Sequence, residues 1–205
     1  MIKTVMFDLG GVIFTLDQQE AIRRLNTLGI ADAAQRLDPY QQGGIFGELE
    51  SGAISADTFR EELSKLAGHT LTYEECRHAW LGYVSEVPAR NLELLRQLRS
   101  KGYRLLLLSN TNPYMMSWVN SPDFDGNGHP LSSYLDKLYL SYEMKLMKPA
   151  ESIFRQVLMS EQCFPNEILF VDDSPRNVAV ASQIGIKTFC PENGKDWTKE
   201  IFSYL

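Results

Sequence analysis

The chain has 205 residues, 44% of them apolar, which suits one domain, or one core with a modest insertion, and excludes disorder as its main state. Twenty Lys and Arg against 26 Asp and Glu give a net charge of -6, which argues against electrostatic capture of nucleic acid or of an anionic membrane. A small anionic substrate held by a metal and a lysine remains compatible with that charge.

The first apolar run, Thr4–Phe7, ends in Asp8-Leu9-Gly10-Gly11. Residues 17–85 then break the strand pattern and read as helices at about 18–28, 55–66 and 72–83, with a glycine-containing loop at 41–47. In this block Phe59, Trp80 and Tyr83 have the spacing of core residues, Cys76 lies on a helix face, and Glu48 and Glu50 read as a solvated helix start. His69, His78 and, further on, His129 show no ligand spacing. A helix follows from Pro88, with Leu92, Leu95 and Leu98 as its apolar stripe and Gly102 as its stop. The second run, Arg104–Ser109, leads into Asn110 and Thr111, and a turn-rich loop fills 121–130.

A third run at 138–141 precedes Lys148-Pro149. A fourth, at 168–172, ends in Asp172-Asp173, and Ser174-Pro175 reads as the cap and first residue of a helix whose start faces that corner. The last run is 186–190. All five runs are short and apolar on both faces and are separated largely by helical patterns, which predicts a buried parallel sheet. Cys76, Cys163 and Cys190 form no Cys-x-x-Cys pair, so neither a disulfide framework nor a zinc knuckle is expected. With no charged start followed by an apolar segment and no bilayer-length run, a soluble, cytoplasmic protein is expected.

An open α/β sheet places its ligand crevice at the carboxyl ends of its strands. Four polar elements are expected to converge there: Asp8, Ser109-Asn110, Lys148 and Asp172-Asp173. Each has a bland alternative. Asp8-Leu9-Gly10-Gly11 is also good turn chemistry, Asp172-Asp173 would suit a helix N-terminus, and Lys148 alone reads as a surface lysine before proline. Adjacent carboxylates repel, however, and a cation is the usual remedy.

In that order the segments Phe7-Asp8, Leu108-Ser109-Asn110-Thr111-Asn112, Met147-Lys148-Pro149 and Phe170-Val171-Asp172-Asp173 resemble the four motifs of the haloacid dehalogenase superfamily. The resemblance runs over nearly the whole chain and is nearest the branch of bacterial sugar-1-phosphate phosphatases, α-D-glucose-1-phosphate phosphatase among them. It implies a doubly wound, Rossmann-like α/β core formed by residues 1–16 and 86–205, with an inserted α-helical cap at 17–85.

It also implies a Mg2+-dependent phosphatase acting on a small phosphorylated metabolite, such as glucose 1-phosphate, with neither nucleic acid nor membrane as partner; the oligomeric state is left open. Asp8 would be the nucleophile, forming a phosphoaspartate, and Lys148 would offset charge on Asp8 and the phosphoryl group. Ser109 would bind phosphate oxygens, and Asn110 and Thr111 would either line the phosphate cup or merely finish a turn. Asp8, the Gly10 carbonyl and Asp173 would hold the metal, with Asp172 and Asn177 behind them.

In most phosphatases of the superfamily the residue two after the nucleophile is an aspartate that serves as acid and base; here it is Gly10, as in the sugar-1-phosphate branch, and a positive φ is expected there. Two other readings stand beside the first. One is a phosphometabolite-binding or regulatory protein impaired in turnover; the other, weaker, is a haloacid dehalogenase, whose chemistry does not need the metal site implied by Asp173.

Overall fold

The computed structural model describes residues 1–37 and 43–205. In chain order its elements are β1 (Thr4–Phe7), β2 (Thr15–Leu16), α1 (Gln18–Thr27), α2 (Ala33–Arg36), α3 (Gly44–Glu50), α4 (Ala56–Ala67), α5 (Tyr73–Trp80), β3 (Val84–Glu86), α6 (Ala89–Ser100), β4 (Arg104–Ser109), α7 (Pro113–Val119), β5 (Lys137–Leu140), α8 (Ser141–Met144), α9 (Glu151–Glu161), β6 (Ile168–Val171), α10 (Pro175–Gln183) and β7 (Lys187–Phe189). No described helix is long and apolar enough to cross a membrane.

Five strands form one sheet in the order β5-β4-β1-β6-β7, parallel throughout. Both faces are covered, which is why the strands read as unbroken apolar runs. Val5 and Phe7 of β1, Leu105 and Leu107 of β4, and Leu169 and Val171 of β6 face a cluster that includes α6 and α7. Their alternates Met6, Leu106, Leu108, Ile168 and Phe170 face α9 and α10. The period of two along each strand sorts these side chains between the layers. This is the expected doubly wound α/β architecture.

The described part of residues 17–85 is mostly helical, and the apolar cluster on the α6 side continues into it through Phe46, Phe59 and Trp80. Capping explains where several of these helices begin. Asp17 accepts from the Glu20 amide, Ser55 from Thr58, and Thr72 with Glu75 forms a reciprocal capping box. A two-stranded antiparallel ribbon of β2 and β3, which the sequence reading lacks, joins the two ends of this block.

Several local expectations are corrected. The loop expected at 41–47 is helical from Gly44 onward, while Gln41 and Gln42 lie outside the described residues. Ser141 begins α8 instead of closing β5. Pro88 stands at the N-cap of α6, just outside its first turn, and Ser174 caps α10 without a side-chain bond.

Candidate active site

Because the sheet is parallel, the residues that follow its strands share one edge. β1 lies between β4 and β6, and the chain runs outward from it in both directions, so the crevice opens at the end of β1. Asp8 stands there, its amide donating to the Val171 carbonyl (2.8 Å), which continues the β1–β6 ladder by one residue. The Leu9 amide donates to Asp8 Oδ1 at 2.7 Å and helps hold the carboxyl in place. The turn beyond is tight: Gly11 donates to the Phe14 carbonyl at 2.8 Å, and α6 braces it through buried Asn91, whose Nδ2 donates to the Val12 carbonyl at 2.8 Å.

The positive φ expected at Gly10 belongs to Gly11, at 73°. Glycine is required there for a second reason, since a Cβ on Gly11 would lie 2.1 Å from Asp173 Oδ2. At Gly10 a Cβ would meet only the Leu16 side chain, at 2.8 Å.

Lys148 is buried, not a surface lysine. Its Nζ lies 2.9 Å from Asp8 Oδ1 and 2.7 Å from Asp172 Oδ2. Burial opposes its charge, but Asp172 and Asp8 outweigh that and hold its pKa above the ordinary lysine value. The backbone of Lys148 is gripped by Asn110, whose Oδ1 accepts from the Lys148 amide and whose Nδ2 donates to its carbonyl, both at 2.9 Å. Asn110 borders the cavity, and its side-chain bonds also position the lysine, a task its sequence reading lacks.

Asp172 is fully buried. Besides Lys148 it accepts from the Ser174 amide (2.8 Å) and, on both oxygens, from Asn177 Nδ2 (3.0 Å each). It thus anchors the lysine from behind, with Asn177 and the start of α10 satisfying its remaining oxygen sites. Asp173 turns toward the cavity. Burial, then Asp8 and Asp172, push its carboxyl up to about 8. Burial likewise raises Asp8 to about 6, partly offset by Lys148 and reinforced by Asp172. Oxygen atoms of Asp8, Asp172 and Asp173 lie within 4.8 Å of one another, so three acids share one lysine.

Ser109 ends β4 and lines the cavity with Thr111 and Asn112. The Thr111 amide donates to Ser141 Oγ at 3.0 Å, while its own buried hydroxyl has no partner. Asn112 caps α7 by accepting from the Met115 amide at 3.1 Å. Leu9, Phe14, Leu16, Trp80, Tyr83 and Met115 supply apolar lining. Trp80 and Tyr83 therefore face the cavity as well as packing on each other, with ring centroids 6.1 Å apart.

The sequence reading misplaces Glu50. It is the last residue of α3, is buried instead of solvated, and lines the cavity with Asp8. Burial, followed by the charge on Asp8, pushes its carboxyl up to about 8. Its carbonyl accepts from Ser141 Oγ at 2.6 Å, which ties the helical block to the edge of the sheet. His69, His78 and His129 are all exposed. Cys76 is buried in α5, where desolvation holds its thiol up at about 11.

Comparison with known proteins places the chain in a family. The profile of the haloacid dehalogenase-like hydrolases matches residues 2–185. The chain is 49% identical over 201 residues to the D-ribitol-5-phosphate phosphatase of Bacteroides thetaiotaomicron, covering 98% of this chain and 97% of that protein. Among solved structures, a predicted HAD-like family hydrolase from Porphyromonas gingivalis superposes with a TM-score of 0.94 at 43% identity, over 99% of this chain and 97% of the other. A HAD family enzyme from B. thetaiotaomicron, solved with magnesium and inorganic phosphate, gives a TM-score of 0.87 at 33% identity, over 98% and 99%. The family model spans almost the whole chain, and the protein belongs to the haloacid dehalogenase-like hydrolases.

Proposed function

We propose that the protein is a magnesium-dependent phosphatase that hydrolyses a small sugar or polyol phosphate through a phosphoaspartate on Asp8. One observation carries this reading: Asp8, Asp172 and Asp173 converge near buried Lys148, and Asp8, Asp173 and the lysine line a cavity.

The donor set fits a hard divalent cation. The oxygens are carboxylates, a single ammonium opposes three acids, and the raised Asp173 carboxyl marks charge that the fold alone leaves uncompensated. Asp8, Asp173 and the Gly10 carbonyl would hold the ion. When bound, magnesium supplies positive charge to the phosphoryl oxygens and lets the neighbouring carboxylates ionise together.

The chain's own groups do the rest. Asp8 attacks phosphorus, and Lys148 holds its carboxylate in line and offsets the charge that the phosphoryl group brings. Asp172 and Asn110 keep the lysine from turning away. Ser109 and the buried Thr111 hydroxyl lie on the wall where phosphate oxygens would rest. Residues 17–85 act as a cap: through Glu50, Trp80 and Tyr83 they would face the alcohol portion and shield the reaction from water.

For the alcohol, the relative named as a D-ribitol-5-phosphate phosphatase supports a polyol phosphate, whereas the motif pattern with Gly10 points to glucose 1-phosphate. Phosphate release from both, within a panel of sugar and polyol phosphates and with and without Mg2+, ranks them. Activity should require Mg2+ and vanish in Asp8→Asn. Unchanged release in that variant, or release of halide from haloacids with no phosphatase activity, would sink the reading.

A further inference from the structure

We infer that Glu50 is the proton donor to the departing alcohol and the base that activates water in the second step. The inference rests on the phosphatase reading above. Expelling an alkoxide near neutral pH requires a proton, and the water that opens the phosphoaspartate must lose one. Among the described residues, the titratable groups lining the cavity are Asp8, Glu50, Tyr83, Lys148 and Asp173. Asp8 is the nucleophile, Lys148 is paired with Asp8 and Asp172, and Asp173 belongs to the carboxylate cluster. Gly10, which directly follows the nucleophile's neighbour, has no side chain to contribute. Tyr83 carries a phenol, a group poorly suited to taking a proton from water and returning it to an alkoxide in turn.

Glu50 remains. It comes from the helical block, across from the sheet edge that carries the other acids, and it is fixed there. Ser141 Oγ holds its carbonyl at 2.6 Å, Lys145 Nζ donates to the Gly52 carbonyl, and Tyr114 donates to the Ala56 carbonyl at 2.7 Å. Those three bonds tie the backbone from the end of α3 to the start of α4 to the core, so the chain that carries the buried Glu50 is held in place before substrate arrives.

The steps balance. As Asp8 forms its bond to phosphorus, the ester P–O bond breaks, its electron pair goes to the alcohol oxygen, and that oxygen takes the Glu50 proton. Glu50, now a carboxylate, takes a proton from water as the water oxygen attacks phosphorus. The P–O bond to Asp8 breaks, and its electron pair returns to the Asp8 carboxylate. Alcohol and phosphate leave, and Glu50 is protonated again.

The test uses the Mg2+-loaded protein with ribitol 5-phosphate, whose alkoxide needs a proton, and p-nitrophenyl phosphate, whose leaving group does not. Glu50→Gln should lower kcat for the alkyl ester by about a hundred- to ten-thousand-fold. With the aryl ester the first turnover should survive as a burst of p-nitrophenolate, followed by slow release of phosphate. Glu50→Asp should recover part of the alkyl rate. Wild-type kcat on the alkyl ester in Glu50→Gln, equal loss on both esters without a burst, or the same full pattern in Tyr83→Phe would overturn the assignment. If Glu50→Gln does not fold, Glu50→Asp decides, and an unchanged alkyl kcat in it is equally fatal. A wild type that releases no phosphate from any ester in the panel removes the phosphatase reading together with this one.

Discussion

Lys148 has a structural task beside the catalytic one proposed for it. It is buried between Asp8 and Asp172, and breaking a buried ion pair by deleting one partner leaves uncompensated charge behind, at a cost of about 3–5 kcal/mol. Lys148→Ala should therefore abolish turnover and also lower the unfolding free energy measured by urea titration by an amount in that range. A variant as stable as the wild type would show that the two carboxylates are neutral or hydrated without the lysine. Gly11 is the second residue whose task is structural and chemical at once. Gly11→Ala meets backbone strain at a φ of 73°, worth about 1–2 kcal/mol, and places a methyl against the Asp173 carboxylate. The Mg2+ concentration giving half-maximal activity should rise well beyond what the loss of stability explains. An unchanged Mg2+ requirement would separate Gly11 from the metal site.

At the scale of elements, the contact between the helical block and α8 decides how Glu50 is held. A Cβ on Gly52 would fall 2.1 Å from the Tyr142 carbonyl, and Gly52 has a φ of 69°. Gly52→Ala should push the segment off α8, with a stability loss of about 1–3 kcal/mol and a fall in kcat on alkyl phosphates, while far-UV circular dichroism stays unchanged. Equal kcat would mean that the segment is not held through this contact. The same elements show what a sequence can disclose. β1 and β4 are legible to the residue because both faces of each strand are buried, so local composition reports the tertiary environment. β2 and β3, two and three residues long and partly exposed, carry no such signal. Glu50 and Asn91 were illegible for a different reason: each is a polar residue on a helix, and only the packing of distant segments buries it. The order Asp8, Ser109, Lys148, Asp173 was legible because a parallel sheet turns order along the chain into nearness at one edge. The division of labour within it, with Asn110 clamping the Lys148 backbone, depends on side-chain directions that spacing does not encode.

For the whole molecule, the acids gathered at this edge should make stability depend on pH in an unusual direction. Burial and mutual repulsion raise Asp8 to about 6 and Asp173 to about 8, both from an ordinary 3.8, and burial with the charge on Asp8 raises Glu50 from 4.5 to about 8. Between about pH 4 and 8 the folded chain thus binds more protons at these sites than the unfolded chain. Stability then falls as pH rises, because its slope follows the protons bound by the unfolded state minus those bound by the folded state. The contribution is fully present below the unfolded values near 4 and is lost as pH climbs through 6 and then 8. Surface acids such as Glu20, held near 2 by hydrogen bonds to Arg23 and Arg24, act in the opposite sense but below that window, so they do not mask it. In EDTA the melting temperature should decline from pH 5 to pH 8.5. Mg2+ should restore more of it at the alkaline end, since a cation takes over the role of the protons and its binding to the folded state adds stability. Melting curves at matched ionic strength, with EDTA and with Mg2+, measure both slopes. A melting temperature that rises through this range in EDTA, or a Mg2+ increment that does not grow with pH, would mean that the cluster is already neutralised within the fold.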